Sequence, residues 1–169
     1  RNGNTATRAL ALKAVGLMVP ALPHAVEDGS DRGARIAMCE GSMLTGMSFS
    51  QRGLGAVHGL AHPLGSLLHV PPGKCCALLL PEILRYHADA CSNKLLDLAK
   101  AVGLEAAQHF LEAIDGLCHH LGIPETFQDY GLNAEHYDFI LEQCRSNSMK
   151  GNPVHMPDSD VLELLAKLS

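Results

Sequence analysis

A chain of 169 residues is the size of one globular domain, and its net charge of −5, from 13 Lys and Arg against 18 Asp and Glu, has the wrong sign for a surface that neutralises nucleic-acid phosphates. Hydrophobic residues at 47% and charged residues at 18% supply a core and exclude the composition of a disordered segment. Aromatics at only 4%, with no Trp, argue against an all-β protein, because strands favour aromatic and β-branched residues while the abundant Ala and Leu favour helix.

The first periodic segment runs from residue 5 to about 19, with Leu10, Ala14, Leu17 and Met18 in helical register, and Pro20 and Pro23 are expected to end it. Asp31 caps a second helix in which Ile36, Cys39, Met43 and Met47 share one side. Its other side, Ala37, Gly41 and Thr45, is small enough for a neighbouring helix to approach closely, which predicts a place in the middle of a bundle. Ser50-Gln51-Arg52-Gly53 reads as a loop, and 54–69 as the next helix, stopped by Val70-Pro71-Pro72-Gly73. Residues 74 to about 86 are apolar nearly all round, the mark of a buried helix, with a kink expected at Pro81. Segments 93–102 and 105–121 form a helical hairpin about Gly103, the second with Phe110, Ile114, Leu117 and Leu121 in register. A further helix is expected over 134–144. The last follows Pro157, with Asp158 and Asp160 where the helix dipole favours negative charge and Val161, Leu164, Leu165 and Leu168 as its buried stripe. Seven or eight helices and no strand predict an all-α helical bundle, undivided and built on one packed core.

The most apolar stretches, 10–26 and 77–84, are broken by Lys13, Pro20, Pro23, His24, Pro81 and Glu82, so no membrane span is expected. Six cysteines, at 39, 75, 76, 91, 118 and 144, form no Cys-x-x-Cys and no paired framework, the usage of free thiols in a reducing cytoplasm. The chain opens at Arg1 in mid-pattern without an initiator Met and reads as a piece of something longer.

One stretch departs from what a bundle needs: Gly53-Leu54-Gly55-Ala56-Val57-His58-Gly59-Leu60-Ala61-His62-Pro63-Leu64-Gly65. A helix gains nothing from repeated glycines, each costing about 0.5–1 kcal/mol relative to Ala, so either a ligand or another helix is expected against this backbone. His58 and His62, four apart, lie one turn from each other on one face, a spacing that can offer two imidazoles to one metal or simply place two histidines in a packed helix. Gly59 stands where a zinc protease motif needs Glu, which excludes hydrolysis by that route. His119 and His120 read as a helix C-terminal pair, His24, His87, His109, His136 and His155 as surface or capping residues, and Cys75-Cys76 as core.

That run, followed by Val70-Pro71-Pro72-Gly73 and Ala77-Leu78-Leu79-Leu80-Pro81, closely resembles the signature of the iron-dependent (group III) alcohol dehydrogenases. Gly151-Asn152-Pro153 and the acidic start of the final helix are similar to that family's C-terminus, so the resemblance covers all 169 residues. It implies that residues 1–169 are the helical, metal-binding C-terminal domain, dehydroquinate-synthase-like in fold, of a protein whose N-terminal nucleotide-binding domain is absent from this chain. In the family a divalent metal, iron or zinc, sits between the two domains. Its ligands are an Asp and a His from a helix that would lie just upstream of Arg1, the first signature His, and a His fourteen positions later. Carried over, the metal ligand is His58, and the last ligand falls at Pro72, which has no donor atom. His69 is not promoted in its place, because His accompanies the intact ligand in other members. His62 matches a catalytic histidine beside the nicotinamide and the substrate, implicated in moving the alcohol proton, and Phe49 matches an aromatic lining the substrate pocket.

The resemblance therefore implies a metal-dependent, NAD(P)-linked alcohol dehydrogenase or aldehyde reductase that oxidises an alcohol by hydride transfer, with a small alcohol or aldehyde as substrate. Charge, broken apolar stretches and cysteine usage point to a cytoplasmic protein with neither nucleic acid nor membrane as partner, compatible with a homo-oligomer. The alternative is a catalytically degenerate helical domain that serves as an assembly or interaction module. Alone, the chain is expected to be inactive and to bind metal and dinucleotide weakly or not at all, because the upstream ligands and any strand–glycine turn–helix cradle for a pyrophosphate are missing from it.

Overall fold

A computed structural model describes residues 4–169, so Arg1, where the chain opens, lies outside the described residues. All regular structure in them is helical: α1 (Thr5–Glu27), α2 (Arg32–Arg52), α3 (Ala56–Leu68), α4 (Pro72–Tyr86), α5 (Ser92–Ala101), α6 (Ala107–His120), α7 (Tyr137–Cys144), α8 (Asn147–Lys150) and α9 (Asp158–Leu168). Short 3₁₀ turns occupy Gln128–Tyr130 and Ala134–His136. The helix beyond the expected seven or eight is the single turn α8. By its internal contacts the chain divides into two compact units, Arg1–Gly53 with Cys91–Leu121, and Leu54–Ala90 with Gly122–Ser169.

In the first unit α1 begins with a capping box, Asn4 Oδ1 accepting from the Thr7 amide at 2.9 Å. Pro20 and Pro23 do not end it. Each removes one N–H, yet α1 continues against α2 until the Asp28 amide donates to the His24 carbonyl at 2.9 Å. Because the prolines fail to interrupt it, α1 is, by length and a mean hydropathy of 1.6, apolar enough to cross a bilayer, contrary to the expectation from sequence. Within the unit Thr7, Ala14 and Ala25 of α1 are buried. Asp31 caps α2 as predicted, its Oδ1 accepting from the Ala34 amide at 2.9 Å. Residues 50–52 are helical and not the expected loop: Arg52 Nε donates to Thr7 Oγ1 at 2.7 Å and Ser48 Oγ to the Thr7 carbonyl at 2.9 Å, which ties the last turns of α2 to the start of α1. Gly53 ends it at φ 76°, a conformation that favours glycine.

The close approach predicted for the small side of α2 is present at Gly41, where a Cβ would lie 2.2 Å from Met18 Cγ. The central position is not: Ile36, Cys39, Met43 and Met47 are exposed, so this side of α2 lies at the rim. Helices α5 and α6 form the expected hairpin, turning at Gly103 (φ 79°), with Leu95, Ala99, Phe110, Leu111 and Ile114 buried.

The second unit holds the larger apolar cluster. Leu60 and Leu64 of α3, Leu79 of α4, Phe127, Ile140 of α7, and Val161 and Leu165 of α9 are wholly buried, each contributing roughly 1.5–3 kcal/mol by leaving water. The stripe predicted for α9 is buried at all four positions. Helix α4 is buried at Cys75, Leu78, Leu79 and Ile83 and begins at Pro72, whose fixed φ and missing N–H suit a first helical position. The helix expected over 134–144 is split, Asn133 capping a 3₁₀ turn before α7 begins. The Phe127 amide donates to the Leu168 carbonyl at 2.7 Å, and the Tyr86 hydroxyl to Asp160 Oδ2 at the same distance, fastening α9 to its unit. None of the six cysteines is in a disulfide, and burial pushes the thiols of Cys75, Cys76, Cys118 and Cys144 up.

Candidate functional site

Of the glycines in the signature run, Gly55, Gly59 and Gly65 meet protein, while Gly53 has nothing within 4 Å of its Cβ position. A Cβ at Gly55 would lie 3.1 Å from Asn152 Oδ1, one at Gly59 would lie 3.3 Å from the Cys144 carbonyl and from Met149, and one at Gly65 would lie 3.0 Å from the Val70 carbonyl. Of the two occupants the sequence left open, ligand or protein, it is the surrounding chain that approaches here. The buried face of α3, Leu60, Ala61, Pro63 and Leu64 with Gly59, leaves His62 exposed and His58 half-buried. Burial, and then the charge of His62, hold His58 below its ordinary value. His58 thus favours the neutral imidazole, the form that ligates a metal or accepts a proton.

His69 caps α3 at φ 55°, the left-handed region, and is exposed. Pro72 is exposed at the first position of α4. Phe49 belongs to the other unit, near the end of α2, and is 44% exposed. Cys75 is core, as predicted. His24, His109, His119, His120 and His155 are exposed, as the surface reading expects, and His136 sits at its 3₁₀ turn with its Nδ1 3.3 Å from the Asn133 amide.

His87 is a capping residue, at the C-terminus of α4, but not a surface one: it is buried, and its Nε2 lies 3.0 Å from Asn152 Nδ2. The connection spans 65 residues and has no local signal. The one hint was Gly151-Asn152-Pro153, which stands out as a motif without revealing what it touches.

Among the described residues no group of three or more His, Cys, Asp or Glu gathers where a metal ion could be held. One half-buried imidazole with a second exposed imidazole a turn away does not make a structural or catalytic coordination shell, so these residues do not by themselves fit the metal the resemblance implies. Nor do the described residues include a strand leading into a glycine-rich turn, the element that cradles a dinucleotide pyrophosphate.

The whole chain, residues 1–169, matches the C-terminal part of the Fe-containing alcohol dehydrogenase family. It is 35% identical over 167 residues to lactaldehyde reductase of Escherichia coli strain K12, covering 94% of this chain and 43% of that protein. Among solved structures it is similar to a 1,3-propanediol oxidoreductase, with a TM-score of 0.94 and 31% identity over 100% of this chain and 47% of the other. It is also similar to sulfoacetaldehyde reductase from Bifidobacterium kashiwanohense, solved in complex with NAD+, with a TM-score of 0.90 and 25% identity over 98% of this chain and 44% of the other. The chain spans less than half the length of each.

Proposed function

Since the chain belongs to the Fe-containing alcohol dehydrogenase family, as its C-terminal helical domain, we propose that it works as that half of an NAD(P)-linked alcohol dehydrogenase or aldehyde reductase acting on a small alcohol or aldehyde in the cytoplasm. The observation that carries this reading is the α3 run itself: a helix buried on one face by its own unit presents His58 and His62 one turn apart on the other, within a match that extends over the whole chain. An N-terminal nucleotide-binding domain is the proposed partner, because the relatives are more than twice as long and one of them binds NAD+. Within this chain's share of the chemistry, His62 is the residue proposed to take up or release the alcohol proton at a ring nitrogen. Its exposure leaves that ring open to solvent and substrate. His58 is proposed as the chain's contribution to the family's divalent metal. Phe49 enters as a pocket-lining aromatic through resemblance alone. The isolated chain is proposed to be inactive.

Pro72 favours a second reading. With no donor atom where the resemblance puts the last ligand, the domain could have lost the original reaction and serve as an assembly or interaction module. The two separate on one experiment: the full-length protein, loaded with iron or zinc, is assayed for NAD(P)H formation against a panel of small alcohols, beside His62→Ala. The dehydrogenase reading expects alcohol-dependent NAD(P)H formation, reduced at least about 100-fold in kcat by loss of the proton-transfer group. No turnover with any alcohol, cofactor or metal leaves the module.

A further inference from the structure

The first N–H groups of a helix have no partner within it, and at α3 the N-cap is Gly55, which has no side chain to supply one. Asn152, 96 residues further along, supplies it: its Oδ1 accepts from the Ala56 amide at 2.9 Å. The same side chain donates from Nδ2 to the Val154 carbonyl at 2.7 Å, and Nδ2 lies 3.0 Å from His87 Nε2. One end of the amide faces an N–H and the other a carbonyl, so its orientation is fixed. His87 Nε2 must then be the acceptor, which makes the buried ring the neutral Nδ1–H tautomer.

Backbone contact surrounds this bond. A Cβ at Gly151 would lie 1.9 Å from the Leu54 carbonyl oxygen, and the glycines at 55 and 59 let Asn152, Cys144 and Met149 come close to α3. The turn that carries His58 is therefore held from outside at its first residue and along its next turn. Its placement is not set by an internal cap.

We infer that Asn152 is a positioning residue for His58 and His62. By gripping the Ala56 amide while His87 and the Val154 carbonyl hold the other end of its side chain, it fixes where the first turn of α3 sits. A helix is stiff over the roughly 9 Å from Ala56 to His62, so that placement is passed to both imidazoles. The inference gives these two histidines significance only through the function proposed above, but its physical content is independent of catalysis.

The test uses the 169-residue chain labelled with ¹³C and ¹⁵N at histidine, at about pH 8 where an unperturbed imidazole is neutral. In Asn152→Ala, the ring signals of His58 and His62 are expected to move, and the Ala56 amide to exchange roughly tenfold faster. In Asn152→Asp, whose second carboxylate oxygen would face the Val154 carbonyl and His87 Nε2 with no hydrogen to give, the ring signals of His58 and His62 are expected to move as well. In the parent, His87 Nε2 gives an acceptor-type ¹⁵N signal. If Asn152→Ala speeds Ala56 exchange and leaves both ring signals unmoved, Asn152 is a local cap and the inference is overturned. A donor-type Nε2 in the parent overturns it as well. Should Asn152→Ala fail to fold, His87→Leu, which leaves no acceptor for Asn152 Nδ2, carries the test: a shift of the two ring signals supports the inference and unmoved signals refute it. Absence of alcohol oxidation in the full-length protein would remove the proposed function while leaving these spectra as they are.

Discussion

Replacing Gly151 by alanine probes the backbone contact on which the start of α3 rests. Gly151 has φ −78° and ψ −7°, a conformation open to alanine, so the substitution carries no dihedral penalty. Its Cβ, however, would lie 1.9 Å from the Leu54 oxygen and 3.1 Å from the Leu54 carbonyl carbon, where non-bonded heavy atoms rest at about 3.5–4.0 Å. Both sides of the clash are backbone, so no rotamer relieves it. Relief requires the 151–154 segment or the entrance of α3 to move by more than about 1 Å, which also pulls Asn152 from the Ala56 amide. Overpacking of this kind costs about 1–3 kcal/mol and a lost hydrogen bond about 0.5–1.5 kcal/mol, for a total near 2–4 kcal/mol. For a chain of this length the expected fall in Tm is about 5–15 °C. Tyrosine fluorescence follows the relevant unit selectively, because the chain has no Trp and its three tyrosines, Tyr86, Tyr130 and Tyr137, all lie in the second unit. Gly73→Ala, also in that unit and with nothing within 4 Å of its Cβ, is the control and should lose no stability. A Gly151→Ala protein within about 0.5 kcal/mol of the parent in urea would refute the reasoning, since surface changes of no consequence fall in that range.

Tyr86→Phe should give a stability difference that depends on pH at both ends. The Tyr86 hydrogen bond, then that of Ser159, holds Asp160 below its ordinary 3.8, a contribution present above that value and lost as pH falls through the folded one. Burial and then Asp160 push Tyr86 up to about 12, a contribution present below its ordinary 10 and lost as pH rises from there towards 12. Urea titrations showing the same parent-to-variant difference at pH 3, 7 and 11 would count against the pair. His62→Gln should raise the NMR titration midpoint of His58 by removing a like charge, yet leave it below 6.5 because burial remains. In the full-length protein, chelator competition should show tighter metal binding by Pro72→His than by Pro72→Ala; equal affinities would mean that an imidazole at 72 does not reach the metal. Gly46→Ala, mid-helix in α2 with nothing within 4 Å of its Cβ, should stabilise the first unit by about 0.5–1 kcal/mol, read by helical circular dichroism.

What the sequence disclosed was local and periodic. The four-residue stripe of α9, the Asp31 cap and the stop at Gly103 follow from patterns within a few residues, and the structure has them. The signature run was conspicuous for a related reason: glycines and histidines are unusual in a helix, so their density announces a constraint. What escaped was set by tertiary contact. Pro20 and Pro23 are strong local stop signals, overridden where α1 runs on beside α2. Residues 50–52 read as loop because nothing near them shows that Arg52 will bond to Thr7. Ile36, Met43 and Met47 have the spacing of a buried stripe, and periodicity alone does not say which apolar face is covered. His87 looked like one histidine among several because Asn152, its partner, is 65 residues away.

The cysteines divide by reactivity in a way that bears on that uncovered face. Thiolates, not thiols, are alkylated, and burial disfavours the thiolate at Cys75, Cys76, Cys118 and Cys144, whereas Cys39 is exposed. A brief maleimide reaction near neutral pH therefore decorates Cys39 ahead of those four, and its fuller exposure favours it over the partly buried Cys91. Cys39 shares its side of α2 with Ile36, Met43 and Met47, so an environment-sensitive dye attached there becomes an optical gauge of local polarity. Its emission would report, without any engineered residue, whenever that apolar strip is shielded from water.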